Sequence, residues 1–184
     1  MPIIVGIAGF LLLFLADALA VSVQKASGNR GSLKIASIVR TVGYVLVGAP
    51  LVLVVCGPDA GLRQKAPLWL WPHGAGFPLA TLVRLGVWLL GLVCLGMLVW
   101  TVFFEIEAIR KKRGLSKDAL ITEGSYGRCR HPGFWWFTLL ALCLGILEPF
   151  GDYIFTLIVM ILLDLTLVWV QDYLFFPRLF AGYD

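Results

Sequence analysis

Gly124-Ser125-Tyr126-Gly127-Arg128-Cys129-Arg130-His131-Pro132-Gly133-Phe134-Trp135-Trp136 carries the chain from a basic, polar loop straight into an apolar segment. Two arginines, a histidine and a tyrosine are crowded here against a hydrophobic wall. Pro132 biases His131 away from the helical region and pre-sets the first turn of the helix that follows. His131 therefore stands at a helix entry, and a helix N-terminus attracts anionic groups.

The wall extends through the whole chain. Of its 184 residues, 60% are hydrophobic and only 14% are charged, with a mean hydropathy of +0.91. A soluble domain of this length is closer to half apolar, with about a quarter of its residues charged. So much apolar surface needs a solvent other than water. The expected fold is all-α: a polytopic transmembrane helical bundle forming one domain over residues 1–184.

Five apolar segments are expected to span. The first runs from Ile3 to Val23, too long for the apolar region of a signal peptide and without its basic start. Asp17 lies in it, and is expected to be a helix-end residue reaching toward the interface rather than a site residue. A turn region with Gly28, Asn29, Gly31 and Ser32 fills residues 24–41. The second span, Thr41 to Cys56, contains Pro50, where a kink is expected. A proline-rich loop at 57–80, with Trp69, Trp71 and Phe77, reads as lying along the interface, and its His73 as solvated. The third span runs from Leu82 to Phe104 and continues as a helix through Arg110-Lys111-Lys112-Arg113, which Gly114 ends. The basic run reads as an anchor near anionic lipid. The polar loop 115–131 leads to a short fourth span, Gly133 to Glu148. After the turn at Glu148–Asp152, the fifth runs from Tyr153 to Phe176. On it Asp164 and Gln171 are seven apart and share a face, and Asp172 adjoins that face.

The loops at 24–41 and 105–131 carry four and seven basic residues; those at 57–81 and 148–152 carry two and none. The positive-inside rule then places the N-terminus outside and the C-terminus in the cytoplasm. The net charge of +4 thus belongs to topology and membrane lipids, and no nucleic-acid partner is expected. Cys56, Cys94, Cys129 and Cys143 have no CxxC spacing and read as small packing residues. With two histidines, neither a disulfide framework nor a metal site is expected. Gly86, Gly91 and Gly96 in the third span permit close helix contacts without defining an oligomer.

Gly124-Ser125-Tyr126, then Arg130-His131-Pro132-Gly133-Phe134 after three residues, resembles the G-x-Y-x-x-x-R-H-P-x-Y signature of the isoprenylcysteine carboxyl methyltransferases and related membrane phospholipid methyltransferases. Leu120-Ile121-Thr122-Glu123 is similar to that family's lead-in. The likeness covers residues 115–183 and implies a core of five transmembrane helices. It also implies that the cofactor S-adenosylmethionine (SAM) sits in a cytoplasmic pocket formed by the C-terminal half, 105–184, with a lipophilic acceptor entering from the bilayer. By that resemblance Tyr126, Arg130, His131 and Pro132 line the SAM pocket, and Arg130 and His131 are the catalytic candidates. Gln171 and Asp172 align with a Glu-Glu pair that holds the SAM amino group, so one charge is missing here. Phe134 stands for the signature's tyrosine, and Leu179-Phe180 for a Phe-Gly pair.

The residue chemistry is compatible with this. Arg130 and the helix N-terminus suit the SAM carboxylate, and Asp172 its ammonium. Methyl transfer is a displacement at carbon, so it mainly requires alignment. A carboxylate acceptor needs no base, whereas an amine must lose a proton to His131 or Asp172. Arg128 is a candidate for orienting an anionic acceptor, Trp135 and Trp136 for walling a lipid tunnel, and Asp164 for the acceptor side. Two other readings stay open: a membrane NADPH-dependent reductase of the sterol-reductase type, which shares a related R-H-P-x-Y pocket, and a relative without turnover. An arginine–histidine pair ahead of tryptophans also describes an ordinary interfacial anchor.

Overall fold

The apolar runs of the sequence become helices, which satisfy backbone N–H and C=O groups within the segment. α1 spans Pro2–Lys25 and α2 spans Arg30–Cys56. α3, Phe77–Val99, passes through a π-helical stretch, Trp100–Glu105, into α4, Ile106–Arg113. α5 is Pro132–Leu147; α6, Gly151–Val170, passes through a second π-helical stretch, Gln171–Phe175, into α7, Phe176–Leu179. The computed structural model describes residues 2–25, 30–56, 77–115, 119–147 and 151–179. Among the described residues, four stretches are long and apolar enough to cross a membrane: Ile3–Val23, Lys34–Val52, Thr81–Arg113 and Ile154–Leu179. α5, with 16 residues, is about 24 Å long at the α-helical rise, shorter than the roughly 30 Å hydrocarbon core.

Several boundaries differ from the sequence expectation. α2 begins at Arg30, eleven residues before Thr41, so Gly31 and Ser32 are helical and do not form a turn. Their helix propensity is poor, but tertiary packing of the α1–α2 pair outweighs propensity. Pro50 lies inside α2, which runs on through it. Gly114 ends α4 as expected, in the left-handed region with φ 64°, where a residue without a Cβ is favoured. The interfacial loop with Trp69, Trp71 and His73, the turn at 148–150, and the tail from Phe180 onward lie outside the described residues. Only 77–80 of the expected loop are described, and they open α3.

α1 packs along α2 and also against α6; α5 bridges α3 and α6. Phe10 and Leu13 of α1, Val47 and Leu51 of α2, Cys94 of α3, Phe137 and Leu140 of α5, and Leu157 and Met160 of α6 form one buried cluster. Phe10 and Phe137 meet edge to face at its centre, with ring centroids 6.4 Å apart. The outside is as apolar as the inside: Leu11, Val45, Leu82, Leu92, Phe155 and Leu162 are all exposed. Such a surface suits lipid and does not suit water.

Gly9 sets the spacing of α1 and α2. A Cβ there would lie 2.7 Å from the backbone nitrogen of Val47 and 2.9 Å from the carbonyl oxygen of Gly43. Neither backbone atom has room to yield, so Gly9→Ala pushes the helices apart at a cost of ~1–3 kcal/mol. Thermal unfolding in detergent is expected to show a lower midpoint for Gly9→Ala. Gly48→Ala, whose Cβ meets nothing within 4 Å, is expected to leave the midpoint unchanged or raise it.

Candidate functional site

The quoted motif is held by the helix that precedes it. Glu105 closes the first π-helical stretch and is buried. Its carboxylate accepts the Ser125 backbone N–H at 2.6 Å and also the Ser125 hydroxyl. Gly124 sits beside it with φ 65°, and a Cβ at this position would collide with Glu105 Oε1. Both the backbone sign and the contact therefore require glycine. One residue on, the Tyr126 hydroxyl donates to the Thr101 carbonyl at 3.3 Å. That carbonyl belongs to the same π-helical stretch, a geometry that recurs at functional sites. Burial, and then the neighbouring Tyr44 and Glu105, push the Tyr126 phenol well above its ordinary value, so it stays a protonated donor. Arg113 of α4 binds Glu123 through two nitrogens, at 3.2 and 2.7 Å, which ties the basic run to the motif loop.

At the other end of the motif, His131 Nε2 lies 2.8 Å from Asp172 Oδ1. The contact joins the residue before α5 to the second π-helical stretch, 41 positions later. Phe176 stacks on the His131 ring, with centroids 5.7 Å apart and planes 8° from parallel. The imidazole is thus held at an edge by a carboxylate and across its face by an aromatic ring. Its side chain is only 13% exposed, and that of Asp172 is 27% exposed, so the pair is partly shielded from solvent.

Gln171, which the resemblance pairs with Asp172, has a different partner. It donates from Nε2 to Asp17 Oδ2 at 2.7 Å. Asp17 Oδ1 receives Arg40 Nη2 at 2.6 Å. Asp17 is therefore not a residue reaching for the interface: it is 3% exposed and bonded from both sides. Burying a carboxylate costs several kcal/mol unless it is paired, and α2 and the second π-helical stretch each supply one partner.

The remaining candidates separate by location. Pro132 is buried at the start of α5. Arg128 and Arg130 are exposed on the motif loop. Trp135 is 57% exposed and contacts Phe134 edge to face, whereas Trp136 packs against the buried core. The two tryptophans thus do not line one surface, because adjacent helical residues diverge by roughly 100°. Asp164 is half-buried on α6. Glu105, Thr101, Arg40 and Phe176 were not identifiable as site residues from sequence. A local signal existed only for Glu105, the first acid after a long apolar run.

Among the described residues no group of three or more histidine, cysteine, aspartate or glutamate side chains is placed to hold a metal ion. Compared with known proteins, the chain matches no family model, no curated protein and no solved structure.

Glu105→Ala removes the acceptor from two partly buried donors, at a cost of up to ~1–3 kcal/mol each when left unmade. Amide hydrogen exchange is expected to speed up through Ser125–Cys129. Glu105→Gln is expected to have a smaller effect, because the Ser125 hydroxyl can reverse and accept from the new amide.

Proposed function

We propose that this chain is an integral membrane protein with five spans, α5 being the short one. Its N-terminus lies outside and its C-terminus in the cytoplasm. In this reading it transfers a methyl group from SAM to a lipophilic or small acceptor at the cytoplasmic face. The observation that carries the proposal is the His131–Asp172 pair, 2.8 Å apart, at a helix entry six residues or fewer from Tyr126 and Arg130. The Arg113–Glu123 ion pair keeps the basic run on the same side as this pair, which fits the positive-inside orientation.

The residues suit the charge pattern of SAM. Asp172 offers a carboxylate for an ammonium group, and Arg130 with the α5 N-terminus offers donors for a carboxylate. Gln171 is occupied by Asp17, so Asp172 is the acid that faces the motif. Bound SAM supplies the electrophilic methyl carbon. The protein's part is to align the acceptor and keep water away, which the apolar walls of α5 and the stacked Phe176 favour. In the tautomer whose Nε2–H donates to Asp172, Nδ1 is the acceptor atom of the ring. Nδ1 can then take a proton from an amine acceptor, directly or through water. A carboxylate acceptor asks nothing of it, and His131 then only shapes the pocket.

Calorimetric titration of detergent-purified protein with SAM tests the reading. Binding in the micromolar range is expected, together with its loss in His131→Ala and no heat with NADPH. Folded protein that binds no SAM would end the methyltransferase reading. NADPH binding in its place would favour a reductase.

A further inference from the structure

Gln171 and Asp172 are consecutive, yet each is bonded to a different part of the molecule. Gln171 reaches Asp17 on α1, and Asp172 reaches His131 before α5. Both belong to one short π-helical stretch, Gln171–Phe175, which also lies against α1. π-helical turns are rare and occur frequently at functional sites. Fixing one residue of so short a stretch fixes the direction of the next. Asp17 is buried and its two oxygens have different partners, Arg40 at 2.6 Å and Gln171 at 2.7 Å, so its own position is determined by α2 as well as α1.

We infer that Asp17 is a positioning residue: through Gln171 it sets the register of the second π-helical stretch and thereby holds Asp172 on His131. The N-terminal helix pair is then part of the site machinery although it contributes no atom to the His131–Asp172 contact. The inference rests on the proposed function only for its meaning in catalysis. The geometric claim, that the Asp17–Gln171 bond controls the His131–Asp172 bond, stands without a cofactor.

The contact has a donor–acceptor pattern that can be reversed. Asp17→Asn alone keeps a bond, because the Gln171 amide can turn its Oε1 to accept from the new N–H₂ while the new carbonyl accepts from Arg40. Gln171→Glu sets two carboxylates face to face and alone removes the bond. Together they restore it: the new amide at 17 donates to the new carboxylate at 171, and its carbonyl oxygen accepts from Arg40. Charge is unchanged in the pair, because one acid is exchanged for another.

The test uses full-length protein labelled with ¹⁵N-histidine, in detergent. With only two histidines in the chain, the His131 signals are assigned by their absence in His131→Ala. The Nε2 signal of His131 is expected to shift in Gln171→Glu, to stay near its wild-type position in Asp17→Asn, and to return in the double variant. SAM affinity is expected to follow, weakened about tenfold in Gln171→Glu and recovered in the double. A His131 signal unmoved in Gln171→Glu, with only the unfolding midpoint lowered, would reduce Asp17 to a helix-packing role and overturn the inference. Failure of the double variant to recover the signal would overturn it too. If Gln171→Glu does not fold, Gln171→Met removes the donor without adding a charge, and an unshifted His131 signal there has the same meaning. Wild-type protein that binds no SAM would end the proposed function, and the histidine signal would still decide the positioning claim.

Discussion

The structure depends on how it accommodates the Asp17 carboxylate inside an apolar helix pair. A lone carboxylate at this depth would be expelled or neutralised, because its desolvation outweighs any packing gain. Here it is met by a guanidinium from α2 and an amide from the far end of the chain, 154 positions away. Three parts of the molecule are thereby fixed in relation to one another by a single side chain. The cost of burial becomes a source of specificity: alternative pairings of these similar apolar helices would leave the charge unmet. Leucine-rich surfaces alone discriminate poorly between such registers.

The two π-helical stretches follow the same logic at the ends of long helices. Trp100–Glu105 holds the motif loop through the Thr101 carbonyl and the Glu105 carboxylate. Gln171–Phe175 presents one side chain to α1 and the next to His131. In both, the regular i to i−4 ladder is given up where polar side chains or carbonyls are needed for contacts outside the helix. The apolar helices provide the rigid frame, and their irregular ends provide the chemistry.

The helices were legible in the sequence because hydropathy reports them directly: the expected third and fifth spans lie within α3 and α6 with their continuations. Gly114 was legible for the same local reason, as a glycine after a basic turn. The start of α2 was not, since Gly31 and Ser32 signal a turn yet lie inside the helix. Within the site, His131 and Asp172 were both identifiable by residue type and position. Their direct bond was not, nor was the diversion of Gln171 to Asp17, because nothing local encodes a contact across most of the chain. Glu105 and Thr101 were missed for a related reason: an acid at a helix end is unremarkable until the loop that folds back onto it is known.

α5 carries a consequence for the membrane itself. A helix about 24 Å long beside neighbours that extend well past the roughly 30 Å hydrocarbon core creates a mismatch on one flank of the bundle. Lipid next to a short span adjusts by thinning. Under the five-span proposal, the headgroup plane would dip along α5, toward the end where Pro132 and His131 begin it. The exposed indole of Trp135, half polar and half apolar, suits the rim of such a dip. On that proposal the protein deforms its own solvent, and an acyl-chained molecule in the adjacent leaflet would arrive with its polar head already at the height of the imidazole.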